Sequence, residues 1–341
     1  MPMPRHTEGP PATDSRWNAI VARYRQPIAR RSVWQVVNTA GPLFLLWLAM
    51  YLGLRFSYAL TLALAVPAAF FLVRLFIIQH DCSHGSFFRS QRANDAVGAV
   101  IGVLTLVPYA YWRKTHALHH ATSGNLEHRG FGDVDTLTVD EYRALGRWGR
   151  LKYRLYRHPV ILFVAGPVWV FILRHRFPTI VPRTWRRERR SIVRNDIALA
   201  VLVTAMTLAV GWKAFLLIQL PVSLLAGSVG VWLFYIQHQF EDTYWEHDEK
   251  WEFVAAGLKG SSYYRLPRIL QWATGNIGLH HIHHLSSKIP NYRLQECFDE
   301  NPVFKRVTEL RLLESLRCVR LALWDEAQGK LVSFREARRA A

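Results

Sequence analysis

Four long apolar segments constrain this 341-residue chain more than any other feature of its sequence. Each approaches the roughly 20 apolar residues that a helix needs to cross the hydrocarbon layer of a bilayer. They cover residues 36–54, 56–78, 197–212 and 214–236. The turn inside each pair carries one basic residue, Arg55 in the first and Lys213 in the second. The pattern therefore predicts a membrane protein with two helical hairpins.

Basic residues indicate how these hairpins are oriented. The chain has 43 lysines and arginines against 25 acidic residues, a net charge of +18 that would also suit a nucleic-acid binder. Many of these residues, however, lie just before the first and third apolar segments, where lysine and arginine mark the cytoplasmic side. The arginines at these two places are Arg23, Arg25, Arg30 and Arg31, and then Arg183, Arg186, Arg187, Arg189, Arg190 and Arg194. We therefore expect a cytoplasmic N-terminus, central region and C-terminus, and no nucleic-acid partner.

Two further apolar stretches, residues 96–109 and 159–173, are shorter and are interrupted by glycine or proline. Such stretches are more often interfacial, re-entrant or buried than spanning. One extra crossing would also place some of the histidine clusters described below on the wrong side of the membrane. The sequence thus predicts four crossings.

The two ends of the chain are more polar than its middle. Residues 1–32 predict a cytoplasmic N-terminal segment without a secretory signal, disordered up to about Asp14 on composition. Residues 33–295 hold the membrane domain, and residues 296–341 predict a helical cytoplasmic tail. The apolar residues of a helix in this tail recur at helical spacing, and core packing of this stripe is favoured over a partner-binding face. They are Leu312, Leu313, Leu316 and Val319.

Histidine is the residue whose distribution points to chemistry. Ten of the fifteen histidines fall in four short clusters, at or beyond the predicted cytoplasmic ends of the helices. The clusters are His80 and His84; His116, His119 and His120; His238; and His280, His281, His283 and His284. Imidazoles spaced i and i+3 or i+4 share one helical face, so a single turn can present two of them to one ion. An adjacent histidine points elsewhere, as bridging to a neighbouring ion would require.

The number of imidazoles argues against a single tetrahedral zinc ion, which needs about four ligands. Imidazole also suits iron, copper and nickel, so the ligand type leaves the metal open. Each cluster alone is weak evidence, since a lone histidine such as His238 is commonly an ordinary core or interfacial residue. Together, four clusters on one side of one membrane favour two iron ions that carry out oxygen chemistry.

Three of the clusters resemble the three histidine boxes of the membrane fatty acid desaturase family. They occupy residues 80–84, 116–120 and 280–284. The surrounding sequence is similar to the delta-12 acyl-lipid branch of that family, from about Trp34 to Tyr292. The similar passages read HDCSHGSFF, YWRKTHALHHATSGNLE, YIQHQFEDTYW and GNIGLHHIHHLSSKIPNY.

The resemblance implies a fold and a ligand set. The implied fold is an all-α integral membrane protein, with four transmembrane helices in two hairpins and a cytoplasmic helical cap that holds a dimetal site. Relatives carry a further histidine between the second and third boxes, and His238 matches its position. His281 falls on a variable position and is left out. The implied iron ligands are His80, His84, His116, His119, His120, His238, His280, His283 and His284.

The resemblance also implies an activity. Two ferrous ions and molecular oxygen would desaturate a fatty acyl chain, most simply the acyl chain of a membrane lipid in a delta-12 or omega-6 reaction. The chain has neither a Gly-x-Gly-x-x-Gly fingerprint nor a fused haem domain. Electrons would therefore come from a separate ferredoxin-like or small cytochrome partner, and the protein would lie in a bacterial inner membrane with its active site in the cytoplasm.

Three rival interpretations remain open on sequence. The same fold could act as an acyl or lipid hydroxylase, because hydrogen abstraction precedes both outcomes. A bis-histidine haem protein of membrane electron transfer would use few of the histidines. An intramembrane zinc protease is weaker still, because the chain lacks His-Glu-x-x-His.

Several residues near the boxes could support the metal ligands or the substrate. Carboxylates could accept the second ring N–H of a ligand and fix its tautomer. The candidates are Asp81, Asp133, Asp135, Glu241 and Asp242. Three aromatic residues, Trp112, Tyr244 and Trp245, are equally consistent with an interfacial belt and with a substrate tunnel. The histidines without ligand spacing predict solvated or helix-end roles; they are His6, His128, His158, His175 and His247.

Overall fold

The computed structural model describes residues 16–130 and 134–339, so His6 and Asp133 lie outside the described residues. The described part is mostly helical. Its α-helices, in chain order α1 to α15, are Arg16–Ala22, Ala29–Gly53, Tyr58–His84, Gln91–Leu104, Tyr109–Thr122, Val139–Ala144, Arg147–Tyr156, Arg186–Val210, Trp212–His238, Phe253–Lys259, Arg268–Ala273, His280–Leu285, Asn291–Glu300, Leu312–Cys318 and Phe334–Arg339. Between α7 and α8 lie two π-helical turns, Ile161–Ala165 and Val168–Leu173, and two 3₁₀ turns, Arg174–Arg176 and Pro178–Ile180; a third 3₁₀ turn is Pro302–Lys305.

Four of these helices, α2, α3, α8 and α9, are long and apolar enough to span a membrane. They contain the four predicted apolar segments apart from at most two residues at an end, which confirms those segments as helices. Trp212 belongs to α9 rather than to the preceding helix, because Gly211 at φ +83° ends α8 before it. Both α3 and α9 continue past the apolar run into the histidines, since helical hydrogen bonding does not stop where hydropathy falls.

The shorter apolar stretches form bent helix pairs. The axes of α4 and α5 differ by 102°, and α7 is bent by 59° from the turns at residues 161–176. By length and composition, the described residues thus contain four spanning helices, or up to six if each bent pair is one span.

The third helix is the centre of the membrane region. Within the apolar window of α3, 56% of residues are buried, compared with 11% to 22% in α2, α8 and α9. It packs against α2, α4 and α9, and its buried face includes Leu72, Leu75 and Ile78. The outer faces of the other three long helices carry the exposed apolar residues expected of a surface in contact with lipid.

Five short strands correct the predicted all-α class. They are Leu137–Thr138 (β1), Tyr263–Arg265 (β2), Glu309–Arg311 (β3), Leu321–Asp325 (β4) and Lys330–Ser333 (β5). One sheet has the order β1-β4-β5, with β1 and β4 parallel, and β2 and β3 form a second, parallel pair. Strands of two to five residues are too short to produce a recognisable alternating pattern.

The strands also change the account of the C-terminal tail. Residues 296–339 are mixed rather than wholly helical, and the tail joins the membrane domain through β3 and β4. The predicted helix at residue 312 is present as α14, but the predicted core packing of its leucine stripe is wrong. Leu312, Leu313 and Leu316 are all exposed.

A buried arginine joins three parts of this fold. Arg157 follows α7, and its Nη2 donates to Gln239 Oε1 at 2.9 Å and to the Leu321 carbonyl at 2.8 Å. Gln239 comes directly after the last residue of α9, and Leu321 begins β4. The guanidinium therefore fixes the C-terminal sheet against the end of α9.

Replacing Arg157 with methionine should destabilise the protein by about 1–3 kcal/mol. Two buried oxygens would each lose their charged donor and keep only a hydroxyl donor, from Thr136 for Gln239 Oε1 and from Tyr235 for the Leu321 carbonyl. The measurement is the thermal unfolding midpoint of the purified protein in mild detergent. The exposed Arg335→Met variant is the matched control, and its midpoint should stay unchanged. Equal midpoints for the two variants would show that Arg157 does not hold the sheet in place.

Candidate metal centre

Four helices bring the histidine clusters together at one end of the bundle. His80 and His84 lie one turn apart at the end of α3, and His238 is the last residue of α9. The remaining members lie on α5 and on the short helix α12. They are His116, His119 and His120 on α5, and His280, His283 and His284 on α12.

The nine histidines form two groups. In the first, which we call the five-histidine cluster, one ring nitrogen of each member lies within 4.8 Å of the others; its members are His80, His84, His116, His120 and His283. The same limit of 4.8 Å defines the four-histidine cluster of His119, His238, His280 and His284. His120 and His284 join the groups, because their rings stack with centroids 4.2 Å apart.

Ring nitrogens face each other inside both clusters. In the five-histidine cluster, His120 Nε2 lies 3.1 Å from His116 Nε2 and 3.0 Å from His283 Nε2. In the four-histidine cluster, His280 Nε2 lies 3.1 Å from the Nε2 atoms of His238 and His284. Convergence of lone pairs on one small volume is the geometry that a metal ion requires of its ligands.

The chemistry of these nitrogens fits a bound cation. The Nε2 atoms of His80 and His84 are buried and have no hydrogen-bond partner among the residues that the structure describes. Burial, and next the neighbouring imidazoles, hold the pKa values of His280, His283 and His284 well below the ordinary range. These rings are therefore neutral at pH 7 and have a lone pair free for coordination. An all-nitrogen set of this kind suits iron, copper, nickel or zinc.

His281 is separate from both clusters. Its ring is fully buried, but its Nε2 lies 3.1 Å from the carbonyl of Phe304 and points away from the other histidines. The ring therefore lies on the face of α12 away from the two clusters, and its exclusion from the ligand set stays a prediction.

Hydrogen bonds fix the orientation of two of the clustered rings. The Nδ1 of His238 donates to the Gly260 carbonyl at 2.9 Å, which turns its Nε2 towards His280. The Nδ1 of His80 lies 3.1 Å from Asp81 Oδ1. Asp81 was one of the predicted carboxylate partners, and the structure places it beside a clustered histidine.

Asp81 is held in turn by residues that the sequence analysis missed. Its Oδ2 accepts bonds from the backbone N–H of Asn291 at 2.6 Å and from Asn291 Nδ2 at 2.8 Å. Gln35 Nε2 donates to Asn291 Oδ1 at 2.8 Å. A chain of hydrogen bonds thus runs from α2 through α13 to His80. No local sequence signal marks it, because Gln35 and Asn291 are 256 positions apart.

The other predicted carboxylates lie in different settings. Asp135 is exposed, and Glu241 pairs with Lys330 Nζ at 3.4 Å. Asp242 is half-buried. The positions of Asp135 and Glu241 give no direct support for a role in holding a clustered histidine.

The three predicted aromatic residues differ in the same way. The Trp112 ring stacks on His116 with centroids 4.2 Å apart and so covers the five-histidine cluster. Trp245 is buried in the apolar core, and the Tyr244 hydroxyl donates to the Lys250 carbonyl at 3.2 Å. Of the three, Trp112 alone has its ring stacked on a clustered histidine in the described structure.

The leftover histidines are more varied than predicted. His247 is exposed between Glu127 and Glu326, and these carboxylates raise its pKa to about 9. His175, by contrast, is buried beside Tyr111 and Phe171, so it is not solvated. It lies in the 3₁₀ turn Arg174–Arg176 that ends a helical run, which agrees with the predicted helix-end role.

Comparison with known proteins identifies what this arrangement resembles. A family model described as "Fatty acid desaturase" matches residues 56–306, which include all nine clustered histidines. The chain is 50% identical to a protein named fatty acid desaturase from Bacillus subtilis (strain 168) over 315 residues, which cover 92% of this chain and 89% of that protein. It is 28% identical to the sn-1 acyl-lipid omega-3 desaturase (ferredoxin) of a Synechocystis strain over 309 residues, 87% of this chain and 82% of that protein. It is 25% identical to the sn-1 oleoyl-lipid 12-desaturase of Anabaena variabilis over 247 residues, 67% of this chain and 64% of that protein.

Metal content should separate the clustered histidines from His281. We expect His119→Ala and His238→Ala to lose bound metal, because each removes one of only four nitrogens in the four-histidine cluster. His281→Ala should keep its metal and lose about 1–3 kcal/mol of stability, because the Phe304 carbonyl loses its partner. Elemental analysis of the purified variants measures the first effect, and thermal unfolding the second. Full metal loading of His238→Ala would remove that residue from the ligand set.

Asn291 should affect metal binding without contacting a metal. In Asn291→Leu, Asp81 loses its side-chain donor but keeps the backbone N–H of residue 291. We expect metal affinity to fall by up to about 10-fold, the lower end of the effect of removing a direct partner of a ligand. Chelator competition measures the affinity. Gln295→Leu, on the same helix but bonded to Asp299 instead, should leave the affinity unchanged. Equal affinities in the two variants would mean that Asn291 does not orient His80.

Proposed function

This chain belongs to the fatty acid desaturase family and is an oxidoreductase, and from this premise we propose that it introduces a double bond into the acyl chain of a membrane lipid in a delta-12 or omega-6 reaction. One observation carries the proposal. Two clusters of convergent imidazoles lie side by side at the ends of helices long enough to span a membrane. Relatives named as acyl-lipid omega-3 and oleoyl-lipid 12-desaturases support the choice of an acyl-lipid substrate, and the second name alone supports the delta-12 position.

We propose that each cluster holds one iron(II) ion. The five-histidine cluster would use His80, His84, His116, His120 and His283, and the four-histidine cluster His119, His238, His280 and His284. With molecular oxygen, the two ions would supply the oxidising power to remove two hydrogens from adjacent methylenes. Asp81 and the Gly260 carbonyl keep two of the rings in the tautomer whose Nε2 faces the cluster. Trp112 covers one side of the five-histidine cluster and limits the access of water to it.

The proposed topology follows from the arginines before α2 and α8. Residues 1–32 would form a cytoplasmic N-terminal segment, residues 33–295 the membrane desaturase domain, and residues 296–341 a cytoplasmic tail. The two hairpins α2–α3 and α8–α9 would then place the histidine ends of α3 and α9 on the cytoplasmic side of a bacterial inner membrane. The close packing of α2 on α3 supports the first hairpin.

A separate electron donor would approach the centre from the aqueous side. A cavity of about 400 Å³ is lined by His120 and His284 together with Arg25, Ser286 and Lys288. Arg25 precedes α2, and Lys288 Nζ donates to the His84 carbonyl at the end of α3. The cavity therefore lies at the end of the helical bundle that carries the two histidine clusters. Its cations would favour an acidic donor. The ferredoxin in the name of the Synechocystis relative supports a ferredoxin-like protein over a small cytochrome.

The proposal is tested by its product. The chain should be expressed in a host that makes only saturated and monounsaturated fatty acids, followed by mapping of double bonds in the lipids. We expect a diunsaturated acyl chain with its new double bond at delta-12, absent when His119→Ala replaces the wild type. A hydroxylated acyl chain would contradict desaturation and indicate the same-fold hydroxylase. A double bond at another position would reject the delta-12 assignment alone.

A further inference from the structure

Two short helices follow the carboxyl ends of the two strands in the small parallel sheet. Strands β2 and β3 pair in parallel, with Tyr263 opposite Glu309 and Arg265 opposite Arg311. Helix α11 begins three residues after β2, and α14 follows β3 directly. Because parallel strands run in the same direction, both helices start at the same end of the strand pair.

Both helices turn large apolar side chains outwards. Ile269 of α11 is 75% exposed, and Leu313 and Leu316 of α14 are 78% and 58% exposed. Trp272 and Leu312 are exposed to a smaller extent. A single exposed leucine is ordinary on a protein surface. Five large apolar residues on two helices that start at the same end of a strand pair indicate a surface that is covered by something apolar.

The position of α11 along α3 shows what covers it. The Arg74 guanidinium of α3 donates to the Trp272 carbonyl and lies 4.1 Å from the centre of its ring. The Trp272 ring also meets Phe71 of α3 edge-on, with centroids 5.8 Å apart. A helix that enters the far side of the hydrocarbon layer at Tyr58 covers its roughly 30 Å in about 20 residues and leaves it near residue 78. Phe71 and Arg74 come before that point, so α11 lies within the leaflet on the histidine side.

The position of α14 relative to α9 places it at a similar depth in the membrane to α11. Ser315 of α14 is fully buried, and its Oγ lies 3.1 Å from the hydroxyl of Tyr264. That hydroxyl accepts a bond from Trp232 Nε1 at 3.2 Å. Trp232 is 20 residues beyond Trp212, the first residue of α9, and therefore lies where this helix leaves the hydrocarbon layer. The exposed leucines of α14 thus lie at the boundary of the same leaflet.

Charged residues complete the pattern of an interfacial surface. Arg268 begins α11, and Arg317 and Arg320 lie at the end of α14 and just beyond it; all three are exposed. Long basic side chains next to a buried apolar face can reach lipid phosphates from just below them. The combination matches helices that lie in the plane of a membrane surface.

We propose that α11 and α14 form an interfacial platform that inserts Ile269, Leu312, Leu313 and Leu316 into the leaflet on the histidine side of the membrane. The occupant of this surface is phospholipid, with anionic head groups next to the flanking arginines. The platform anchors the segment between α9 and α12, and therefore the third histidine box, to the bilayer. The proposal does not depend on the acyl reaction.

Spin labelling of the full-length, metal-loaded protein in lipid nanodiscs tests the platform. A nitroxide is placed at Leu313→Cys, with Gln328→Cys in an exposed turn as the aqueous control. The three native cysteines are buried and should label slowly. The measurements are the collision rates of each label with oxygen, which concentrates in lipid, and with a water-soluble nickel chelate.

A label at residue 313 in lipid should show a high oxygen rate and a chelate rate at least several-fold below that at residue 328. High rates with the chelate at both positions would place α14 in water and overturn the proposal. Low rates with both reagents at residue 313 would indicate contact with protein, such as a second copy of the chain, and would overturn it equally. Because the readout is lipid contact, loss of the proposed desaturase activity would leave this result unchanged.

Discussion

Nine imidazoles that converge in a buried volume are the arrangement on which the rest of this structure depends. Neutral rings at contact distances of 3.0–3.1 Å direct several lone pairs at one another, and protonated rings would place like charges together without water. One Nε2–H can satisfy a single facing pair, but His120 and His280 each face two other Nε2 atoms, so a cation between the nitrogens would satisfy more lone pairs than protons can. Since the clustered histidines come from four separate helices, a bound metal would hold together segments that are far apart along the chain, and its binding energy would contribute to folding.

The lengths of α3 and α9 place this centre relative to the bilayer. At 27 residues each, both helices are about 40 Å long, roughly 10 Å more than the hydrocarbon layer. The excess turns carry His80 and His84 on one helix and His238 on the other, so the clusters lie just outside the apolar layer. A spanning helix is held in place by its apolar length, and its polar extension therefore holds the ligands at a fixed height above the lipid.

Sequence patterns could predict the parts of this molecule that depend on local signals. A long apolar run is sufficient to predict a spanning helix, and the spacing of histidines in a box is sufficient to show which rings share a face. The hydrogen bonds from Gln35 through Asn291 to Asp81 could not be predicted, because they join residues whose proximity exists only in the folded chain. The strands of two to five residues gave no periodic signal, and the leucine stripe of α14 was assigned to the core because helical spacing reveals an apolar face but not what covers that face.

The centre lies between two media, and the residues on its two sides differ accordingly. On the aqueous side, Arg25 and Lys288 line a polar cavity that reaches His120 and His284. On the proposed lipid side, Trp272 of the segment that leads into the third box packs against Arg74 of α3. The proposed reaction, which would take electrons from a soluble protein and hydrogens from an acyl chain, needs this separation, since a charged donor cannot enter the lipid and the acyl chain does not leave it. The clusters are buried between the two approaches, which allows both reactants to reach one centre without meeting each other.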